Sequence, residues 1–104
     1  TTTGMPGTPL FMAPELLQGG TATFRADIYS AAATIYRMLT GHHPIEAKKL
    51  NEWLQAIQTQ VPPPANSIRE DIPQQISDAL AKALSKKPQD RQEAIAELAA
   101  DLGL

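Results

Sequence analysis

Between Ala26 and Leu39 the residues that are neither apolar nor tyrosine are Asp27, Ser30, Thr34 and Arg37, and they recur at spacings of three and four. On a helix of 3.6 residues per turn such spacing gathers them into one narrow stripe. A Thr at 21 or 23 can cap the start of this helix and Gly41 stands just past its end, so the pattern predicts a helix over 24–40. A helix with so thin a polar face is buried on nearly all sides. Whatever this chain folds into must surround that one element.

The remaining sequence offers short covers for it. Residues 1–9 carry four Thr, two Gly and two Pro and no apolar period, which reads as a loop. A short helical turn follows Pro14 through Glu15, Leu16 and Leu17 and ends at Gly19-Gly20. Leu50, Trp53, Leu54, Ile57 and Val61 follow helical spacing, placing a helix over Ala47–Thr59 that Pro62-Pro63-Pro64 stops. An extended stretch then reaches Ile72. Pro73 opens another helix with Ile76, Ala79, Leu80, Ala83 and Leu84 as its core face, broken at Lys86-Lys87-Pro88. A last helix over Glu93–Leu102 points Ile95, Leu98, Ala99 and Leu102 inward. No segment alternates at period two, so the fold class is all-α, with about five helical pieces around a largely buried central helix. Short amphipathic helices supply less cover than the central one asks for. Together with a start on Thr1-Thr2-Thr3 rather than Met, this gives the expectation that part of the fold lies outside the 104 residues.

Charge and composition remove several function classes. A net charge of -2, with only the short pairs Lys48-Lys49 and Lys86-Lys87, predicts no nucleic-acid or anionic-membrane surface. The absence of cysteine excludes disulfides and thiolate metal sites and fits a reducing compartment. No apolar run approaches the ~20 residues of a membrane span. His42 and His43 are adjacent at a turn and lack the spacing and further ligands of a metal site, so they read as surface residues and no metal site is expected.

Four motifs stand in a fixed order: Gly7-Thr8-Pro9-Leu10-Phe11-Met12-Ala13-Pro14-Glu15, Arg25-Ala26-Asp27-Ile28-Tyr29-Ser30, Leu39-Thr40-Gly41-His42-His43-Pro44, and Ala83-Leu84-Ser85-Lys86-Lys87-Pro88-Gln89-Asp90-Arg91. The first resembles the segment that closes the activation loop of protein kinases and ends in Ala-Pro-Glu. The others resemble, in kinase order, the start of the long central helix of the C-terminal lobe, its exit, and the penultimate segment where a Pro precedes an Arg. The chain as a whole thus resembles the C-lobe of a protein serine/threonine kinase from the activation segment onward, of the bacterial eukaryote-like type. The implied partition is 1–15 for the end of the activation segment, 24–40 for the central helix and 47–102 for the remaining helices.

The resemblance implies roles residue by residue. Glu15 and Arg91 would pair in a buried salt bridge that fastens the activation segment; the sequence alone, without the resemblance, reads them as two solvated charges. Asp27 would receive backbone donors from the catalytic loop; without that loop it is a carboxylate favoured by the helix dipole. Thr8 would bond to the catalytic-loop Asp and Lys, and the Gly7-Thr8-Pro9 form points to Ser/Thr specificity. Pro9, Leu10 and Phe11 would shape the pocket for the residue after the target. Thr1, Thr2 and Thr3 lie where activation-loop phosphorylation would fall, and are equally a plain Thr-rich loop. Trp53 reads as core or groove, in a region that docks partners in kinases. The Gly-rich loop, strand Lys, His-Arg-Asp and Asp-Phe-Gly motifs are absent from these residues, so no catalytic group is expected in this chain. ATP and magnesium are implied for the intact parent and none for this chain alone. The implied partners are a protein substrate with a Ser/Thr target and the N-terminal part of the kinase domain. The implied location is cytoplasmic, with any membrane tether outside this segment. One departure is Ala31-Ala32 after Ser30, where the family usually has a Gly two residues past the Ser. The alternative left open is a pseudokinase or kinase-derived interaction module; a chance all-α bundle is the third.

Overall fold

The computed structural model describes residues 11–104, which form helices α1 (Pro14–Leu17), α2 (Phe24–Thr40), α3 (Leu50–Thr59), α4 (Ala65–Ile68), α5 (Gln74–Ala83) and α6 (Ile95–Asp101), with a 3-10 turn over Pro88–Asp90 before α6. No strand occurs among the described residues, and the fold is all-α as the patterning predicts.

The core is built on α2. Ala26, Ile28, Tyr29, Ala32, Ala33, Tyr36 and Thr40 are buried along it, and α4, α5, α6 and the 3-10 turn all pack against it. Gly41 ends the helix in the left-handed region at φ 78°, its N–H bonding to the Arg37 carbonyl. Thr23 takes the N-cap position, without a side-chain capping bond. Ala32, in the Gly-free stretch after Ser30, is fully buried. One face of α2 stays open. The polar residues Asp27, Thr34 and Arg37 lie there, and so do Phe24, 51% exposed, and Met38, 70% exposed.

The shorter elements differ from the sequence reading in four places. α3 starts at Leu50 rather than Ala47, because Ile45 is buried and Ala47 half-buried, which holds the preceding turn against the core. Its buried face is Trp53, Ala56 and Ile57, whereas Leu50, Leu54 and the following Val61 are exposed. The stretch expected to be extended contains α4, entered from Pro64 and tied to α5 where the Ser77 hydroxyl donates to Asn66 Oδ1 at 3.2 Å. α6 begins at Ile95 rather than Glu93. The Glu97 carboxylate accepts the Glu93 backbone N–H at 2.9 Å, which places Glu93 outside the first turn, and Ile95 faces solvent rather than the core.

A Cβ built on Gly41 meets no atom within 4 Å, so its left-handed conformation alone opposes substitution. Gly41→Ala is therefore expected to cost about 1–2 kcal/mol of stability, and Gly41→Asn less, measured by chemical denaturation.

Candidate functional site

Arg91 lies between the 3-10 turn and α6 with its side chain fully buried. A buried guanidinium is tolerable only if its five N–H groups find acceptors. Here Nε donates to the Ser85 carbonyl at 2.8 Å, Nη1 to Glu15 Oε2 at 2.8 Å and the Arg25 carbonyl at 2.9 Å, and Nη2 to Glu15 Oε1 at 2.8 Å and the Lys86 carbonyl at 3.3 Å. Two parallel bonds to one carboxylate form the bidentate geometry that makes an Arg–carboxylate pair both strong and oriented. The guanidinium also lies 5.0 Å from the centroid of the Tyr29 ring on α2. Arg25 answers it, donating from Nη1 to the Pro88 carbonyl at 3.1 Å and the Arg91 carbonyl at 3.3 Å.

Glu15 reaches this centre from α1. The helix opens with Pro14 in its first turn, and Ala13 and Pro14 are buried. The Glu15 carbonyl accepts from the Gly20 N–H at 2.9 Å, folding the chain back under the helix, and a Cβ at Gly20 would stand 2.6 Å from that carbonyl oxygen. Burial pushes the Glu15 pKa up, but the Arg91 hydrogen bonds, the residue's own backbone N–H and the Arg91 charge bring it below the ordinary value. Tyr29 is pushed up to about 12 by burial, with Arg91 opposing and Glu15 adding to the shift. Lys86, whose Nζ is buried without a partner among the described residues, is drawn down to about 8 by burial and then by Arg91.

The other candidate residues are dispersed. Asp27 is exposed on the open face of α2, and its carboxylate takes part in no hydrogen bond among the described residues. Phe11 is 37% exposed; its carbonyl accepts from Ser30 Oγ at 2.6 Å, and its ring centroid lies 5.2 Å from that of His43. Thr1, Thr2, Thr3, Gly7, Thr8, Pro9 and Leu10 lie outside the described residues. Trp53 is fully buried, which makes it core and leaves Leu50 and Leu54 as the apolar surface of α3. His42 is exposed, but His43 is half-buried, a correction to reading both as surface residues. Nothing in a Gly-His-His-Pro turn signals which imidazole turns inward. Among the described residues no group of three or more His, Asp or Glu side chains is placed to hold a metal ion. No helix among them is long and apolar enough to cross a membrane.

Comparison with known proteins locates this arrangement. The protein kinase domain family matches residues 1–101. The serine/threonine-protein kinase Pkn1 of Myxococcus xanthus is 38% identical over 90 residues, covering 86% of this chain and 13% of that protein. The serine/threonine-protein kinase PknE of Mycobacterium tuberculosis is 34% identical over 94 residues, 90% of this chain and 16% of its own length. PknH of Mycobacterium bovis, also a serine/threonine-protein kinase, is 33% identical over 93 residues, 89% and 16% respectively. The chain thus spans no more than 16% of the length of these relatives.

Removing either partner of the Glu15–Arg91 pair leaves a buried charge or an unfilled fork. Glu15→Ala and Arg91→Ala are each expected to cost about 3–5 kcal/mol, and the double variant clearly less than their sum; additive costs in a denaturation cycle would mean the pair is not coupled. Because the folded pKa of Glu15 lies below its ordinary value of 4.5, the stability it contributes is present above that pH and is lost as pH falls through the folded pKa. Glu15→Gln is expected to remove that part of the acid sensitivity, read as a flatter Tm-against-pH curve below pH 4.5.

Proposed function

This chain belongs to the protein kinase domain family, and on that premise we propose that it is the substrate-positioning and activation-segment-anchoring part of a protein Ser/Thr kinase. The observation that carries the reading is the bidentate Arg91–Glu15 bridge, which fastens the end of the Ala13-Pro14-Glu15 segment to the core around α2. Phosphoryl transfer needs little covalent chemistry from the protein and much positioning, so a rigidly held substrate segment is a functional part in its own right.

In this reading residues 1–15 end the activation segment, 24–40 form the central helix and 47–102 complete the lobe. Thr8 supports the catalytic loop, and Gly7, Pro9, Leu10 and Phe11 receive the protein substrate around its Ser or Thr. Glu15 and Arg91 are the anchor. Asp27, exposed on the open face of α2, receives backbone donors of the catalytic loop, and the apolar Phe24 and Met38 beside it are covered by the N-terminal part of the kinase domain. Thr1, Thr2 and Thr3 are candidate phosphorylation sites, where added charge orders a loop against basic groups. ATP and magnesium serve the whole kinase, on residues outside this chain, and the chain alone binds no Mg-ATP. Nucleic acid is not a partner, and the domain works in the cytoplasm with any membrane tether elsewhere. The family match and three relatives named as serine/threonine-protein kinases favour this over an interaction module that has lost catalysis.

The full-length protein is expected to transfer the γ-phosphate of Mg-ATP to Ser/Thr peptides. Thr8→Ala is expected to lower kcat by about 10²-fold, the scale of a misplaced reacting group, with little change in Tm. Labelled ATP, peptide and mass spectrometry read both. Absence of transfer from fully loaded, folded protein would favour the interaction module.

A further inference from the structure

The turn that leaves α2 holds a feature that the proposed function does not use. Phe11 is gripped at two points by the same helix and its exit. Its carbonyl accepts the Ser30 hydroxyl at 2.6 Å, and its ring meets the His43 imidazole with centroids 5.2 Å apart and planes tilted by 52°. That separation and tilt lie in the range where aromatic pairs attract beyond the area they bury. His43 reaches the position because the left-handed Gly41 reverses the chain, after which Pro44 and Ile45 are buried and fix the turn. Its Nδ1 is buried with no partner among the described residues. His42, by contrast, points outward, its Nδ1 3.3 Å from Glu46 Oε1.

We propose that His43 is a positioning residue for the substrate-receiving stretch, holding Phe11 in place as a neutral aromatic platform. The inference rests on the reading of residues 7–11 as that stretch. It adds a specific contact from the exit of α2, where the sequence shows only a turn histidine.

The charges around the imidazole determine how the platform responds to pH. On α2, Arg37 opposes protonation; on the turn itself Glu46 favours it, though His42 already engages that carboxylate. Phe11, Met12 and Ala13 bring no charge from the packed segment. Gln60, Val61, Pro63 and Ile68 line the neighbouring cleft and bring none either, and Tyr36 of α2, also on that cleft, has its pKa raised by burial and stays neutral. Burial and then Arg37 hold the His43 pKa below its ordinary 6.5, so the ring is neutral at pH 7. As pH falls through the folded pKa, which lies below 6.5, the protonated ring holds a buried Nδ1–H that has no acceptor among the described residues. Hydration of the imidazolium then draws it out of its half-buried seat beside Phe11, and the grip on the substrate stretch loosens on the acid side.

The test is steady-state peptide phosphorylation by the full-length protein between pH 5.5 and 8. His43→Ala is expected to raise peptide KM about two- to tenfold, the scale of a lost aromatic pair, with kcat and the KM for Mg-ATP unchanged. His43→Phe keeps a ring that cannot titrate; it is expected to retain the peptide KM at neutral pH and to lose the acid-side rise seen in the wild type. An unchanged peptide KM in His43→Ala overturns the inference, as does an undiminished acid-side rise in His43→Phe. The second variant carries the test if the first does not fold. Wild-type protein that phosphorylates no peptide overturns the functional reading instead, so the two failures are told apart.

Discussion

The charged bridge that fastens Glu15 to the body of this fold is made by one guanidinium. Arg91 is the group on which carbonyls from residues 25, 85 and 86 and the carboxylate of Glu15 converge. Five donors meet five acceptors there, and no alternative side chain reproduces that count. Lysine would bring the charge without the planar fork, and an apolar residue would leave Glu15 facing a void. The cost of sequestering the cation is offset only by the completeness of the set, so the interaction constrains each contributor at once. Glu15 must sit at the first turn of α1, and the chain on both sides of the 3-10 turn must present its carbonyls inward.

The helix α2 gives that centre a floor and, with its exit turn, holds Phe11 as well. Tyr29 underlies Arg91, Ser30 holds the Phe11 carbonyl, and the exit turn presents His43. One buried rod therefore sets both ends of the segment 11–15: Phe11 through hydrogen bond and ring, Glu15 through the bridge. The same rod is packed by α4, α5 and α6. A segment fixed in this way needs little regular structure of its own.

How much of this the amino-acid order reveals depends on the range of the interaction responsible. α2 is legible because seventeen residues repeat one local period and Gly41 ends it by a local rule. α4 is invisible because four residues carry no period, and its helical turn follows from contact with Ser77 of α5. Which edge of α3 is buried is ambiguous locally. Leu50 and Leu54 flank the same stripe as Trp53 and Ile57, and packing turns the helix toward Ala56 instead. Glu15 and Arg91 are legible as a pair only through family resemblance, since no local pattern links charges 76 positions apart. The inward turn of His43 has no signal at all, because it depends on Phe11 arriving from another part of the chain.

That separation also bears on the order of events in folding. The Asn66–Ser77 contact closes over 11 positions and the Glu15–Arg91 bridge over 76, nearly three doublings of loop length and roughly 1.7 kcal/mol more chain entropy. Helix docking around α2 can proceed first, and the bridge forms on a body already assembled. An interaction made that late contributes little to the rate of folding and acts mainly as a brake on unfolding. The segment 11–15 can thus attach to a body already assembled, a detachable strap rather than a nucleus.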